Sequence, residues 1–167
     1  AGYYTTFSNP ELDDCHRAQV TVPGQPAHAI LTWDQPGGSL RFELLPGLNK
    51  LLLFEALTLR AVVDPLAERN AQGRPQAFSV RLTDGAGKTA TVATRADEPA
   101  LQWPAGIVTP DESFGSLFSG RLPLTAVRFP LSEFAGVNLA DIREVALVFD
   151  QSDSGALFVA DVELARS

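Results

Sequence analysis

Carboxylates, histidines, a single cysteine and a few aromatic rings are the residues of this chain that could do chemistry, and their spacing separates them. The stretch LVFDQSDSGALFVADVEL, residues 147–164, holds Asp150, Asp153 and Asp161. Asp150-x-x-Asp153-x-Gly155 has the outline of a calcium loop, but an EF-hand needs a further acid late in the loop and a helix on either side. No helix pattern flanks this stretch. Asp and Ser beside Gly are also what a β-turn uses for local hydrogen bonds and positive φ, so Asp150 and Asp153 are assigned to a turn around Ser154-Gly155. Asp161 lies inside an apolar run and has two readings, a metal ligand or a solvent-facing acid on an outer strand.

Nucleophilic and metal chemistry find little support elsewhere. The two histidines, His16 and His28, are far apart, and G-x-S-x-G is absent. The nearest run, Gly115-Ser116-Leu117-Phe118-Ser119-Gly120, lacks that spacing and the strand-to-helix context that a nucleophile elbow needs. One cysteine and two scattered histidines do not make a zinc pattern. Twenty acids give many chance pairs, and none is singled out as a glycosidase pair.

Sugar recognition calls for exposed rings that stack on pyranose faces. Trp33 shares a face with Leu31 and is assigned to the core. Trp103 stands beside Pro104 in an irregular segment, residues 95–124, with Phe114 and Phe118 further along it. These three rings are the candidate ligand platform. In the competing reading they cap one end of the fold or bury against a neighbouring domain. Phenylalanine is a poorer sugar platform than tryptophan or tyrosine, which tilts the segment towards packing.

The elements that would position these residues are strands. The 167 residues suffice for one domain with a real core. The apolar fraction is 45% and the charged fraction 20%, which argues against disorder. A net charge of −7 without a Lys/Arg cluster argues against nucleic acid as a partner. The longest purely apolar run, Leu51-Leu52-Leu53-Phe54, is far too short to span a bilayer. The chain has no methionine, so Ala1 is not expected to be a translation start; a leader or pro-segment was removed, or the chain is a piece of a longer protein. Cys15 has no internal partner and is expected to be a free thiol or to pair outside this chain.

Residues 1–26 are rich in turn formers and read as an irregular lead-in with one short strand near Gln19–Val22. From residue 27 onward the period is two. AHAILTWD and SLRFEL, separated by QPGG, read as a hairpin. EALTLRAVVD places Leu57, Leu59, Ala61 and Val63 on one side. AFSVRLTDGAGKTATVAT reads as a second hairpin turning at Asp84-Gly85-Ala86-Gly87. NLADIRE reads as one helical turn with Asn138 as cap. EVALVFD has apolar residues on both faces, as a central strand does. In the last strand, alternation puts Ala156, Phe158, Ala160, Val162 and Leu164 on one face and Leu157, Val159, Asp161 and Glu163 on the other. Many short strands with turn signals between them predict an all-β antiparallel sandwich or barrel.

The closing segment VRFPLSEFAGVNLADIREVALVFDQSDSGALFVADVEL resembles that of galactose-binding-like jelly-roll domains, the β-sandwich class that includes many carbohydrate-binding modules. The upstream pieces LTWDQPGGSLRFEL, FEALTLRAVVDP and FSVRLTDGAGKTATV look like the matching strands of such domains, found as C-terminal accessories of secreted bacterial hydrolases. The resemblance covers about residues 27–164 and implies a single jelly-roll domain, residues 27–167. It also implies a non-catalytic, secreted accessory module that carries an attached hydrolase to polysaccharide or cell-surface glycan. The alternative is a structural module packed on a catalytic hydrolase domain without sugar binding. Members of the class hold a structural Ca²⁺ near the last strand through an Asp-Asp-Ile/Val pattern. Here that pattern reads Ala160-Asp161-Val162, so the resemblance makes Asp161 the candidate calcium ligand.

Overall fold

The computed structural model describes residues 3–4, 11–20, 28–47, 49–71, 73–104 and 124–166. Eleven strands run through them: β1 (Tyr3–Tyr4), β2 (Glu11–Asp13), β3 (His16–Val20), β4 (His28–Trp33), β5 (Gly38–Glu43), β6 (Ala56–Val63), β7 (Ser79–Asp84), β8 (Thr89–Ala93), β9 (Thr125–Pro130), β10 (Ile142–Phe149) and β11 (Gly155–Ala165). Among the described residues these strands form two antiparallel sheets packed face to face. One is ordered β3-β4-β11-β6-β9 with β1 added to β11, and the other β2-β5-β10-β7-β8. The helical segments are single 3₁₀ turns at Leu51–Leu53, Pro99–Leu101 and Leu131–Glu133, and no described helix is long and apolar enough to cross a membrane.

Period-two patterning explains the core. Leu40 and Phe42 from β5, Val80 and Leu82 from β7, and Val145, Leu147 and Phe149 from β10 all point inward. They meet Leu31 and Trp33 of β4, Leu57, Leu59, Ala61 and Val63 of β6, and Val127 and Phe129 of β9. Trp33 is fully buried, stacked on Phe149 with centroids 4.3 Å apart and planes at 14°, and its Nε1 donates to the Ser152 carbonyl at 3.4 Å. Its assignment to the core holds. Gly155 lies opposite Trp33 in the ladder, where a Cβ would come within 2.3 Å of the indole, so the close approach of ring and backbone requires glycine.

Several local expectations are corrected. β4 and β5 are not a hairpin: β4 pairs with β3 and β11, and β5 with β2 and β10, so QPGG carries the chain from one sheet to the other. A Pro-Gly punctuation signals reversal but does not say which sheet the next strand joins. The lead-in is more ordered than its composition suggests, since β1, β2 and β3 fall within residues 1–26 and pair into both sheets. Asn138–Asp141 is a turn rather than a helical one: Asn138 Oδ1 accepts from the Ala140 N–H at 3.1 Å and its carbonyl from the Asp141 N–H at 2.9 Å. The side chain caps a turn that β10 then takes over. The hairpin β7–β8 forms as expected.

The largest correction concerns β11. Leu157 and Val159 face the core, and so do Val162 and Leu164. The ladder with β6 shifts register between Ala160 and Glu163, and Asp161 there has φ of +51°. An extra residue at this β-bulge breaks the alternation, so Phe158 and Leu164 end on opposite faces.

Candidate functional site

Asp161 occupies the bulge, exposed, with its carboxylate taking a hydrogen bond from Nη2 of Arg60 on β6. Calcium requires several hard oxygen donors around one point. Among the described residues no group of three or more His, Cys, Asp and Glu side chains is placed to hold a metal ion. The donor set at Asp161, an acid already neutralised by a guanidinium, does not fit the ion. Short polar side chains tolerate the left-handed conformation, which accounts for an acid at this position without a ligand. Asp150 and Asp153 lie in the β10–β11 turn as expected. Asp150 Oδ1 accepts from Ser79 Oγ at 2.8 Å and from Gln151 Nε2 at 2.9 Å.

Cys15 is buried, and its Sγ–H donates to the Ser39 carbonyl at 3.2 Å. Burial pushes the thiol up from its ordinary value, with the nearby charges of Asp13 and Asp14 adding to the rise. Thiolate character and access are both reduced, which works against disulfide exchange with another chain.

Trp103 follows the 3₁₀ turn Pro99–Leu101 and packs, half-buried, against the edge of the core. That turn is anchored from below: the Gln76 N–H donates to the Leu101 carbonyl at 2.9 Å. Phe114 and Phe118 lie outside the described residues, so the three-ring platform is represented here by Trp103 alone.

The outer face of the five-stranded sheet is a second surface, built from four strands. Residues directly opposite in a ladder project from the same face. Arg41 of β5 and Arg81 of β7 both pair with Ala146 of β10, which gives a line Arg41–Ala146–Arg81 across three strands. The neighbouring line is Ser39–Val148–Ser79. On the other side Glu43 lies opposite Glu144. Glu144 offers one oxygen to each arginine, 3.8 Å from Arg41 Nη1 and 3.8 Å from Arg81 Nη2. The serines of the neighbouring line are buried, with the Ser79 hydroxyl donated to Asp150, so the face presents the arginines and the glutamates. Beyond Arg81 the edge strand β8 presents exposed Thr91. Among the described residues of β5, β7, β8 and β10, no aromatic ring projects from this outer face. No sequence motif marked it, because each member is an ordinary outward residue of an alternating strand. The register is what joins them.

The outer face of the six-stranded sheet has a different character. Phe158 of β11 pairs in the ladder with Ile30 of β4 and Val62 of β6, an apolar line on the outside of the sandwich. A further apolar feature is the β5–β6 connection, where Leu45, Leu52 and Leu53 are 63%, 63% and 64% exposed.

Two antiparallel sheets in this arrangement have the β-sandwich fold of carbohydrate-binding modules. The family 11 carbohydrate-binding module of a cellulosomal cellulase from Clostridium thermocellum superposes with a TM-score of 0.59, covering 99% of this chain and 95% of that one at 11% identity. The family 30 module of another cellulosomal cellulase from the same organism gives 0.55 over 99% and 94% at 12% identity. An exo-β-agarase gives 0.62 over 96% of this chain but only 24% of its own, at 11% identity. Identities this low make the likeness one of fold. No family model and no curated protein sequence matches the chain.

Proposed function

We propose that this chain is a non-catalytic carbohydrate-binding module of a secreted polysaccharide hydrolase, and that the outer face of its five-stranded sheet is the binding surface. The observation that carries the reading is the end-to-end match, nothing large added or missing, to the family 11 module, a relative in fold whose structure was also solved with a β-1,3-1,4-mixed-linked tetrasaccharide. The face itself supports it. Guanidinium, carboxylate and hydroxyl groups held in register on a rigid sheet are the donors and acceptors that sugar hydroxyls require. The module would bind and orient polymer, and the hydrolysis would belong to the domain it accompanies.

The test is a pull-down panel of insoluble cellulose, agarose and mixed-linked β-glucan gels, with wild type, Arg81→Ala and Trp103→Ala compared. Retention lost in Arg81→Ala and kept in Trp103→Ala is the expected result. The reverse pattern moves the surface to the 95–124 segment, and no retention of any protein on any polymer removes the sugar reading.

A second reading has its own observation. Leu45, Leu52 and Leu53 expose much more apolar side chain than a sugar-binding role needs. A structural module seated on a catalytic domain would use such a surface as its contact. That reading is favoured if the panel is negative and Leu52→Lys/Leu53→Lys raises solubility without lowering the melting point.

A further inference from the structure

We infer that two copies of this chain associate edge to edge through β8, the two strands pairing antiparallel about a twofold axis at Thr91. The inference goes beyond the carbohydrate-binding reading and does not depend on it. The strands that end the two sheets carry it by contrast. A free edge invites pairing, and charges, proline or a bulge guard against that. β2 holds Glu11 and Asp13, β3 holds Arg17, and β9 holds Arg128 and ends at Pro130. β8 reads Thr-Ala-Thr-Val-Ala, without charge or proline, and its ladder with β7 runs without a register shift from Thr89 to Ala93. A groove of about 310 Å³, with Val92 and Val127 among its walls, separates β8 from β9 of the other sheet, so that sheet leaves the edge uncovered.

The ladder fixes which backbone groups are free. The Asp84 N–H donates to the Lys88 carbonyl and the Thr94 N–H to the Phe78 carbonyl, both at 2.9 Å. Bonded pairs alternate with unbonded ones in an antiparallel ladder, so between these two ends Ala90 and Val92 bond to β7. Thr89, Thr91 and Ala93 turn their N–H and C=O groups to the open edge, where no described strand pairs with them. That set is complementary to itself. With Thr91 opposite Thr91 of a second copy, Thr89 meets Ala93, and every free residue enters a bonded pair. One face of the join is threonine and alanine, all exposed. On the other face Ala90 meets Val92, half-buried residues at the margin of the core, and each gains apolar cover. Like charges stay apart. Arg81 lies opposite Thr91, so it and its copy stand three strand spacings apart, roughly 14 Å, more than a Debye length at physiological salt. At the ends Lys88 comes near Arg95 of the second copy, which Asp97 already pairs at 3.2 Å. The two five-stranded sheets become one of ten strands, with both outer faces on the same side.

The experiment is sedimentation equilibrium of the full chain from micromolar to millimolar concentration, at physiological salt, which screens the −7 charge of each copy. A reversible, concentration-dependent dimer is expected, since an interface made mostly of backbone bonds is small. Thr91→Lys places two ammonium groups opposite each other and should abolish the dimer over that range, with an unchanged circular dichroism spectrum as the control for folding. Thr91→Cys tests the register. A bonded pair holds its Cα atoms about 5.5 Å apart, within disulfide reach, so this variant should cross-link to itself under mild oxidation. Thr89→Cys should not, because its copy lies about 14 Å away. Wild type should not either, since Cys15 is buried. A wild-type chain that stays monomeric at millimolar concentration overturns the inference. So does a dimer that survives Thr91→Lys, or one that Leu52→Lys/Leu53→Lys abolishes, which would move the contact to the β5–β6 connection. Cross-linking of Thr89→Cys in place of Thr91→Cys, or of neither, overturns the register on which it rests.

Discussion

β10 and β11 hold the same position, each the central strand of its own sheet, and both are apolar on two faces, yet their irregularities fall in different places: β10 shifts register with β7 at its start, between Ile142 and Glu144, and β11 in mid-strand. Val145, Leu147 and Phe149 point inward in strict period two, and their register with β5 is unbroken from Glu144 to Phe149. β11 points Leu157 and Val159 inward, spends an extra residue at Asp161, and resumes with Val162 and Leu164. The outward faces differ accordingly. β10 presents Glu144, Ala146 and Val148 among arginines and serines, while β11 presents Phe158 and Ala160 among Ile30 and Val62. The regular stretch of β10 after Glu144 sets its outward residues in line with those of β5 and β7, and the mid-strand bulge of β11 re-aims its side chains to keep the core filled.

The face assignment of β11 is the feature that mutation tests most forcefully. Leu157→Ala removes a fully buried side chain and should cost about 2–5 kcal/mol. Phe158→Ala, on the half-exposed outer face, should cost clearly less, despite the larger side chain. Urea unfolding of the two variants side by side settles the order. A Phe158→Ala penalty matching or exceeding that of Leu157→Ala would break the assignment and restore strict alternation.

The start of β11 supplies the next contrast. At its first residues the β6 ladder runs out, and the buried Asn70 side chain takes over: its Oδ1 accepts from the Ala156 N–H and its Nδ2 donates to the Ala156 carbonyl, both at 2.9 Å. The same Oδ1 accepts from Gln76 Nε2 at 2.8 Å, and Gln76 Oε1 from Ser152 Oγ at 2.8 Å. One amide thus imitates a strand and ties the β6–β7 connection to the β10–β11 turn. Asn70→Ala orphans a buried backbone N–H and should cost roughly 1–3 kcal/mol. The denaturation midpoint should fall with an unchanged m-value. An unshifted midpoint would mean that β11 needs no such substitute.

These contrasts also explain what could be read in advance. The sandwich class, the β7–β8 hairpin and the inward sets of β6 and β10 follow from period two, because alternation is a local property of one strand. The faces of β11 do not, because Asp161 in an apolar run looks like any outward acid until its backbone angle is known. β2 and β3 hide in a polar lead-in because short strands next to turns carry few apolar residues. β4 and β5 look like a hairpin because pairing is a relation between distant segments. The same limit hides the polar face: Arg41, Ser79, Arg81 and Glu144 are unremarkable one by one and become a surface only when three strands are set in register. The proline-rich segment drew attention to Trp103 instead, since composition is visible in a sequence and register is not.

Asp161 gives the smallest expected effect and the sharpest reading of the bulge. Its left-handed backbone is a conformation that glycine adopts freely and β-branched residues resist. Its pair with Arg60 is solvent-exposed, and exposed ion pairs contribute little. Asp161→Gly should therefore leave stability within about 0.5 kcal/mol of wild type, whereas Asp161→Val should lose roughly 1–2 kcal/mol to strain. A calcium ligand would behave in the opposite way. An ion that binds only the folded state raises its melting point, so stripping it with EDTA would lower the midpoint and Asp161→Gly would abolish the response. With Arg60 occupying the carboxylate, the midpoint should be the same in EDTA and in millimolar calcium. A calcium-dependent rise that Asp161→Gly removes would make the residue a ligand after all, and the bulge would then be the device that aims it.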